Sequence, residues 1–258
     1  MIRVFAAAAL GAVAVVVPAH ASSPTLTGPD VVRYAPDLSL RDVTTVLYQG
    51  ARLPDGGCAF HGSVLLPAGH APVTEVEVAY RASTCQSLRE RGSTTAVDPP
   101  TLGGGSASDQ VTVGTQTLRL PSTFASIHGW FHDPPGIHVN DVTNSVAWSY
   151  DGSCALPPGT TATMSYQYNW FTPTGWSLEG NSWSHGASCS SVYSSSTVHF
   201  QNRLFCAAIS PILFLFPTDT YYQPNSVTGY GNGSAFYSWS WSKSGPCSAL
   251  LSYQNQLT

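Results

Sequence analysis

Three histidines, His128, His132 and His138, lie close together around a turn that begins at Asp133. The Pro-Pro-Gly that follows disfavours a helix, and on a strand His128 and His132 would stand about 13 Å apart, too far to share one ion. His132 and His138 are predicted to face each other across the turn, with Cβ atoms about 5 Å apart. With Asp133 or Asn140 as a further ligand, this pair could hold zinc or copper. We predict two ordinary surface histidines and no metal site, with a metal at His132 and His138 as the alternative.

Two tryptophans could bind a carbohydrate. Trp176 and Trp183 occupy a loop-like segment, where exposed indoles could stack on sugar rings while Glu179, Asn181 and His185 hydrogen-bond the hydroxyls. We therefore predict a ligand-binding set of Trp176, Trp183, Glu179 and Asn181. The alternative is that both indoles fold inward and cover one end of a β-sandwich.

Carboxylates could instead indicate a hydrolase. A glycosidase needs two carboxyl groups about 5–9.5 Å apart, and after Val142 the acidic residues are Asp151, Glu179 and Asp219. Their spacing does not show that any two meet, so a hydrolase that uses Glu179 with Asp151 or Asp219 remains an alternative. The sequence contains none of the common hydrolase, metalloprotease or nucleotide-binding motifs. We predict no catalytic residue and no cofactor.

The cysteines predict disulfide bonds that stabilise the fold. The chain has six cysteines, an even count that favours disulfides in an exported protein. A zinc site on cysteine is disfavoured because no two cysteines have the C-x-x-C spacing. Each pair of neighbours along the chain would close a moderate loop and stabilise the fold by roughly 2–4 kcal/mol. The predicted pairs are Cys58–Cys85, Cys154–Cys189 and Cys206–Cys247.

The first 21 residues resemble a secretion signal. Arg3 precedes an apolar run from Val4 to Val17, which is too short to span a bilayer, and Ala19-His-Ala21 fits a cleavage site. We expect cleavage between Ala21 and Ser22 and a secreted, extracellular or cell-surface protein. No transmembrane segment is predicted in the mature chain.

The charge of the chain excludes several partners. Charged residues make up 9% of the sequence, the net charge is −4, and neither sign forms a block. Nucleic acid and anionic membranes are therefore poor candidates. An extracellular polysaccharide or cell-wall polymer remains the predicted partner, and no oligomeric state is predicted.

Two elements are predicted in the N-terminal part. Residues 58–66 and 73–81 form a hairpin, and residues 84–91 form a short helix, with Ser83 and Gln86 as a capping box and Gly92 as the stop. Residues 22–92 would thus be a small disulfide-braced region of hairpin and helix. The Ser/Thr/Gly/Pro-rich residues 93–110 would be a flexible linker or an exposed loop.

Residues 111–258 are predicted to form an antiparallel β-sandwich or barrel. Apolar and polar residues alternate repeatedly there, and Gly and Pro separate the alternating segments. In one such segment Tyr237, Trp239 and Trp241 alternate with serines. The fold class is therefore mainly β.

Two segments, Val76–Gly92 and Thr220–Cys247, resemble uncharacterised secreted proteins of actinobacteria. The first carries a strand-Cys-helix-Gly pattern, and the second carries Tyr221-Tyr222, a glycine-rich turn and a terminal Gly-Pro-Cys. The resemblance implies export and β structure, and it supplies no catalytic residue. The leading hypothesis is a secreted, non-catalytic protein that binds carbohydrate or cell-wall polymer. A hydrolase and a protein-interaction or inhibitor module are the alternatives.

Overall fold

A computed structural model describes residues 23–35, 39–94, 103–111, 121–134, 136–169, 175–205 and 216–258. The predicted signal at 1–21, residues 95–102 of the predicted linker and Cys206 lie outside these residues. The first strands are β1 (Val31–Arg33), β2 (Arg41–Gln49), β3 (Ala51–Arg52), β4 (Cys58–Leu66), β5 (Val73–Arg81), β6 (Gln86–Ser93) and β7 (Gly103–Val111). They are followed by β8 (Ser122–His132), β9 (His138–Tyr150), β10 (Ala155–Tyr168), β11 (Trp176–Ala187), β12 (Ser191–Asn202), β13 (Thr218–Tyr230), β14 (Ala235–Ser244) and β15 (Ser252–Leu257).

The prediction of a mainly β, antiparallel fold is confirmed. The predicted hairpin of residues 58–66 and 73–81 is wrong, because the two strands lie in different sheets: β4 pairs with β3 and β14, and β5 pairs with β1, β6 and β15. The strands form a nine-stranded sheet in the order β2-β6-β5-β15-β8-β9-β10-β7, with β1 also paired to β5. A six-stranded sheet follows the order β11-β12-β13-β14-β4-β3. Within the described ranges, the only helical element is a 3-10 turn at Ser248–Leu250. No helix there is long and apolar enough to cross a membrane.

The inner faces of both sheets share one core of aromatic side chains. On β14, Tyr237, Trp239 and Trp241 are fully buried while the serines between them face the other way, as their alternation predicted. Trp241 stacks on Phe60 of the same sheet and on Tyr253 of the nine-stranded sheet, with ring centroids 5.1 Å and 4.6 Å away. The sheets therefore pack against each other through these rings.

The helix predicted at residues 84–91 is wrong, because β6 occupies this segment. Its backbone pairs with β5 on one side and β2 on the other, and its Leu88 and Arg89 are buried. A two-turn helix is marginal by itself, whereas a strand between two neighbours satisfies its backbone and buries side chains. Gln86, taken as a capping residue, instead accepts hydrogen bonds from Arg81 and Thr84.

Each of the two sheets contains strands that precede the predicted linker and strands that follow it. β4 pairs with β14, and β15 lies between β5 and β8. Residues 103–110 of the predicted linker belong to β7, which pairs with β10. The two predicted halves are therefore interleaved in the sheets.

Disulfides join Cys58 to Cys85 and Cys154 to Cys189, two of the predicted pairs. Cys247 is also disulfide-bonded, and its predicted partner lies outside the described residues. The first bond connects β4 of the six-stranded sheet to the turn between β5 and β6 of the nine-stranded sheet. It therefore links the two sheets covalently.

Candidate metal centre

The candidate site lies on β8 and β9, on the face of the nine-stranded sheet that points away from the second sheet. Phe131 of β8 contacts Tyr222 of the six-stranded sheet, so its neighbours Trp130 and His132 point the other way. His128 shares that outward face. Despite this orientation, His128 and His132 are each only 6% exposed and Trp130 is 2% exposed.

Three ligand atoms converge on this face. One ligand atom each of His128, His138 and Asp141 lies within 4.8 Å of the other two. The Asp141 Oδ2 atom stands 3.2 Å from His138 Nε2 and 3.8 Å from His128 Nε2. These distances bracket the spacing of about 3.4 Å between neighbouring ligands in a tetrahedral zinc site with bonds of about 2.1 Å.

The same three atoms are buried, and apart from one another they have no polar partner among the described residues. Buried polar atoms in folded proteins are nearly always hydrogen-bonded or bound to an ion, because leaving them unsatisfied is costly. An ion bound between them would satisfy all three atoms at once. This property separates the cluster from an ordinary pair of surface histidines.

A β-bulge brings His138 and Asp141 to one face. Asn140 pairs with Phe131 and His138 pairs with His132, which leaves Val139 as the extra residue. On a regular strand, residues three apart point to opposite faces. The bulge changes this parity, so His138 joins Asp141 on the outward face.

Electrostatics favour an ionised Asp141. Burial acts to raise the pKa of Asp141, but the adjacent imidazoles of His128 and His138 outweigh it and hold the pKa below its ordinary value. The carboxylate therefore carries its negative charge at neutral pH. A buried carboxylate between two imidazoles is a suitable set of ligands for a divalent cation.

An aromatic side chain covers the ligands. Trp130 pairs with Asp141 across the strands, and its ring stacks on His128 and His138 with centroids 4.6 Å and 6.1 Å away. Packing of this kind restricts the imidazole rotamers. His132 lies at the edge of the group, where its Nδ1 accepts a hydrogen bond from Gln254.

The alternative metal pair of the sequence lies together in the structure, without its two proposed further ligands. His132 and His138 are cross-strand partners, as expected, and their ring centroids are 5.4 Å apart. The two proposed extra ligands point elsewhere: Asp133 accepts a hydrogen bond from the backbone of Ile137, and Asn140 faces the second sheet. Asp141 takes the position expected for them, and His128 joins His138.

The tryptophans predicted to bind sugar lie in a strand rather than a loop. Trp176 begins β11 and is 1% exposed, packed against Phe205, so its ring faces are covered. Trp183 is half-buried, stacks on His185 and donates a hydrogen bond to Ser194. Glu179 and Asn181 are exposed on the same strand. The structure thus leaves Trp183 alone of the two with an accessible indole.

The three candidate carboxylates occupy separate settings. Asp151 is exposed in the turn after β9, where the backbone amides of Ser153 and Cys154 hold its pKa below the ordinary value. Asp219 is the second residue of β13 and pairs with His199 at 2.7 Å. Glu179 lies on β11, and β12 separates that strand from β13. The three carboxylates therefore lie on three different elements of the fold.

The sequence could not show that His128 and Asp141 approach each other. His128 was excluded by its distance from His132 along the strand, but Asp141 reaches it from the neighbouring strand. That contact depends on the register of β8 against β9 and on the bulge at Val139. The histidine spacing indicated this hairpin but did not show that His128, His138 and Asp141 converge.

Comparisons with known proteins identify no relative. No model of a protein family matches the chain, and neither the curated proteins nor the solved structures contain a significant match.

Proposed function

We propose that this chain is an exported, disulfide-stabilised β-sandwich protein that binds one transition-metal ion through His128, His138 and Asp141. The observation that carries the proposal is the convergence of three buried ligand atoms that, apart from one another, have no polar partner among the described residues. Two imidazole nitrogens with one carboxylate form a site that suits zinc or copper, and calcium or magnesium would require oxygen ligands.

Export is supported by two features of the chain. Disulfides persist in oxidising compartments, and the structure contains the pairs Cys58–Cys85 and Cys154–Cys189. The N-terminal sequence has the order of a secretion signal. N-terminal sequencing of the protein recovered from culture medium should start at Ser22, and an uncleaved product retained in the cells would contradict export.

The metal site is tested by equilibrium dialysis of the mature protein against Zn²⁺ and, separately, Cu²⁺, followed by metal analysis. We expect one ion per chain. The substitutions His128→Ala, His138→Ala and Asp141→Ala should each weaken binding by more than about 100-fold, beyond the loss typical of an outer-shell residue.

His61→Ala is the matched control, because it removes an exposed imidazole from β4 in the other sheet. It should bind metal as the unsubstituted protein does, with the same thermal melting temperature. Equal losses in the control and the three site variants would show adsorption to surface histidines. No bound ion in the unsubstituted protein would contradict the proposal.

A further inference from the structure

β2 forms one edge of the nine-stranded sheet, and among the described residues its only strand partner is β6. Tyr48 of β2 contacts Trp241 of the other sheet, so its neighbour Leu47 points outward. Val43 and Thr45 share this outward face, because side chains two apart on a strand point the same way. Val43 and Leu47 are 47% and 41% exposed. Two large apolar side chains therefore reach solvent at the edge of the sheet.

Alternate residues of β2 direct their backbone groups to the open side of this edge. Gly50, which follows the strand, donates its N–H to the carbonyl of Cys85 at 2.7 Å, next to the start of β6. Since the N–H and C=O groups of successive residues point to opposite sides of a strand, the even-numbered residues from 44 to 50 bond to β6. Val43, Thr45 and Leu47 present theirs to the open side, and no described residue bonds to them there.

The other sheet edges in the described part of the chain have features that oppose pairing with a further strand. β3 has two residues, and β11 contains a β-bulge beside Glu179. β7 starts with three glycines and contains Asp109. Short length, bulges, charge and glycine all weaken an edge as a template. Between Val43 and Gln49, β2 has no charge, proline, glycine or bulge.

We propose that β2 pairs with β2 of a second copy of this chain and joins the two nine-stranded sheets across a two-fold axis. An antiparallel pair centred on Thr45 places Val43 opposite the partner's Leu47 and Leu47 opposite the partner's Val43. Residues that face each other across two strands lie on the same face of a sheet, so the exposed apolar side chains cover one another on both sides of the axis. Each of the three pairs, with Thr45 at the centre, exchanges two backbone hydrogen bonds.

The segment is complementary to itself, which favours a second copy over an unrelated strand. A two-fold contact brings the same surface of both chains together. The charged residues nearest to it, Arg41 and Asp42, would lie beyond the ladder near Gln49 and Tyr48 of the partner subunit, so no like charges meet. The bulge at Asp42, whose φ is 53°, ends the ladder at Val43. Because the paired segment is short, we expect a reversible dimer with a Kd of about 1–100 μM.

Sedimentation velocity of the mature, unsubstituted protein across this concentration range tests the proposal. The average mass should rise from that of one chain towards that of two. The double variant Val43→Lys/Leu47→Lys places like charges in both outer pairs, whereas Val43→Lys/Leu47→Glu places opposite charges there. We expect the first variant to stay monomeric and the second to dimerise at least about tenfold more tightly than the first.

Leu65→Lys is the matched control, because it introduces the same charge at a leucine of β4 that is 59% exposed. It should dimerise as the unsubstituted protein does. All three variants change exposed side chains, so their thermal melting temperatures should match that of the unsubstituted monomer. An unsubstituted protein that stays monomeric throughout the range overturns the proposal. A dimer that persists unchanged in Val43→Lys/Leu47→Lys, or is lost in Leu65→Lys, also overturns it, because the contact would then lie elsewhere.

Discussion

At the scale of single residues, the central position of Asp141 decides which histidines act together. Its carboxylate stands between His128 and His138, whose side chains come from different strands. A ligand set based on the cross-strand pair His132 and His138 would leave this buried carboxylate out. The two assignments therefore make opposite predictions for His128 and His132.

We predict that His132→Ala retains metal binding within about tenfold, because His132 contacts His138 only at the edge of the cluster. His128→Ala should lose binding. Isothermal titration with Zn²⁺ compares the two variants at equal protein concentration. If His132→Ala abolishes binding and His128→Ala preserves it, the ligand set is His132 with His138.

The sequence indicated which residues could bind a metal or form disulfides, but it did not show which side chains from distant strands lie next to each other. It directed attention to the hairpin of His132 and His138, and to two disulfides that the structure contains. It could not place Asp141 beside His128. Asp141 lies two positions from the cross-strand partner of His128, so their contact follows only once the register of β8 against β9 is known. Nor did it reveal that Lys243 meets Glu77, since these residues come from distant strands of different sheets.

At the scale of elements, the β-bulge at Val139 assembles the metal site. Deleting Val139 would restore a regular ladder between β8 and β9 and turn His138 away from Asp141. We predict that the deletion lowers zinc affinity by more than about 100-fold while β structure remains in the circular dichroism spectrum.

Val139→Ala is the matched control for the deletion. It keeps the extra residue in β9 but removes a fully buried side chain, so it should cost about 1–3 kcal/mol of stability and leave zinc binding intact. Retained affinity in the deletion variant would show that the bulge does not set the geometry.

The disulfide between Cys58 and Cys85 is predicted to stabilise the contact between β4 and the β5–β6 turn. It closes a loop with a sequence separation of 27 residues. A loop of this length corresponds to a stabilisation of about 3–4 kcal/mol through the entropy of the unfolded chain. The double variant Cys58→Ala/Cys85→Ala should lose this amount of unfolding free energy in urea. A loss below about 1 kcal/mol would show that the sheets already hold this end together.

The misassigned helix shows why element type was harder to predict than fold class. The predicted helix had a capping box at its start and arginines in its last turn. In the structure Arg89 and Arg91 form ion pairs with Glu75 of β5. Pairing on both sides overrides such local signals. The long alternating strands were predictable because a half-buried sheet imposes period 2 on its residues.

At the scale of the whole molecule, both sheets are built from strands of both predicted halves. Neither the part before residues 93–110 nor the part after them contains a complete sheet. β14 relies on β4 for one neighbour, and β15 is inserted between β5 and β8. The Ser/Gly/Pro-rich composition of residues 93–110 suggested a boundary there. Composition reports local backbone freedom, however, and it carries no information about which distant strands pair.

We predict that residues 22–110 and 111–258, produced separately, do not unfold cooperatively. The C-terminal fragment would expose one edge of β14 and one edge of β15, and it would leave Lys243 buried without Glu77. Unpaired edges and an uncompensated charge both destabilise a sheet. Urea unfolding followed by tryptophan fluorescence should show a sharp transition for the full chain and none for either fragment. A cooperative transition of 111–258 alone would show that the pairing with β4 and β5 is dispensable, and that the chain consists of two independent domains joined through residues 93–110.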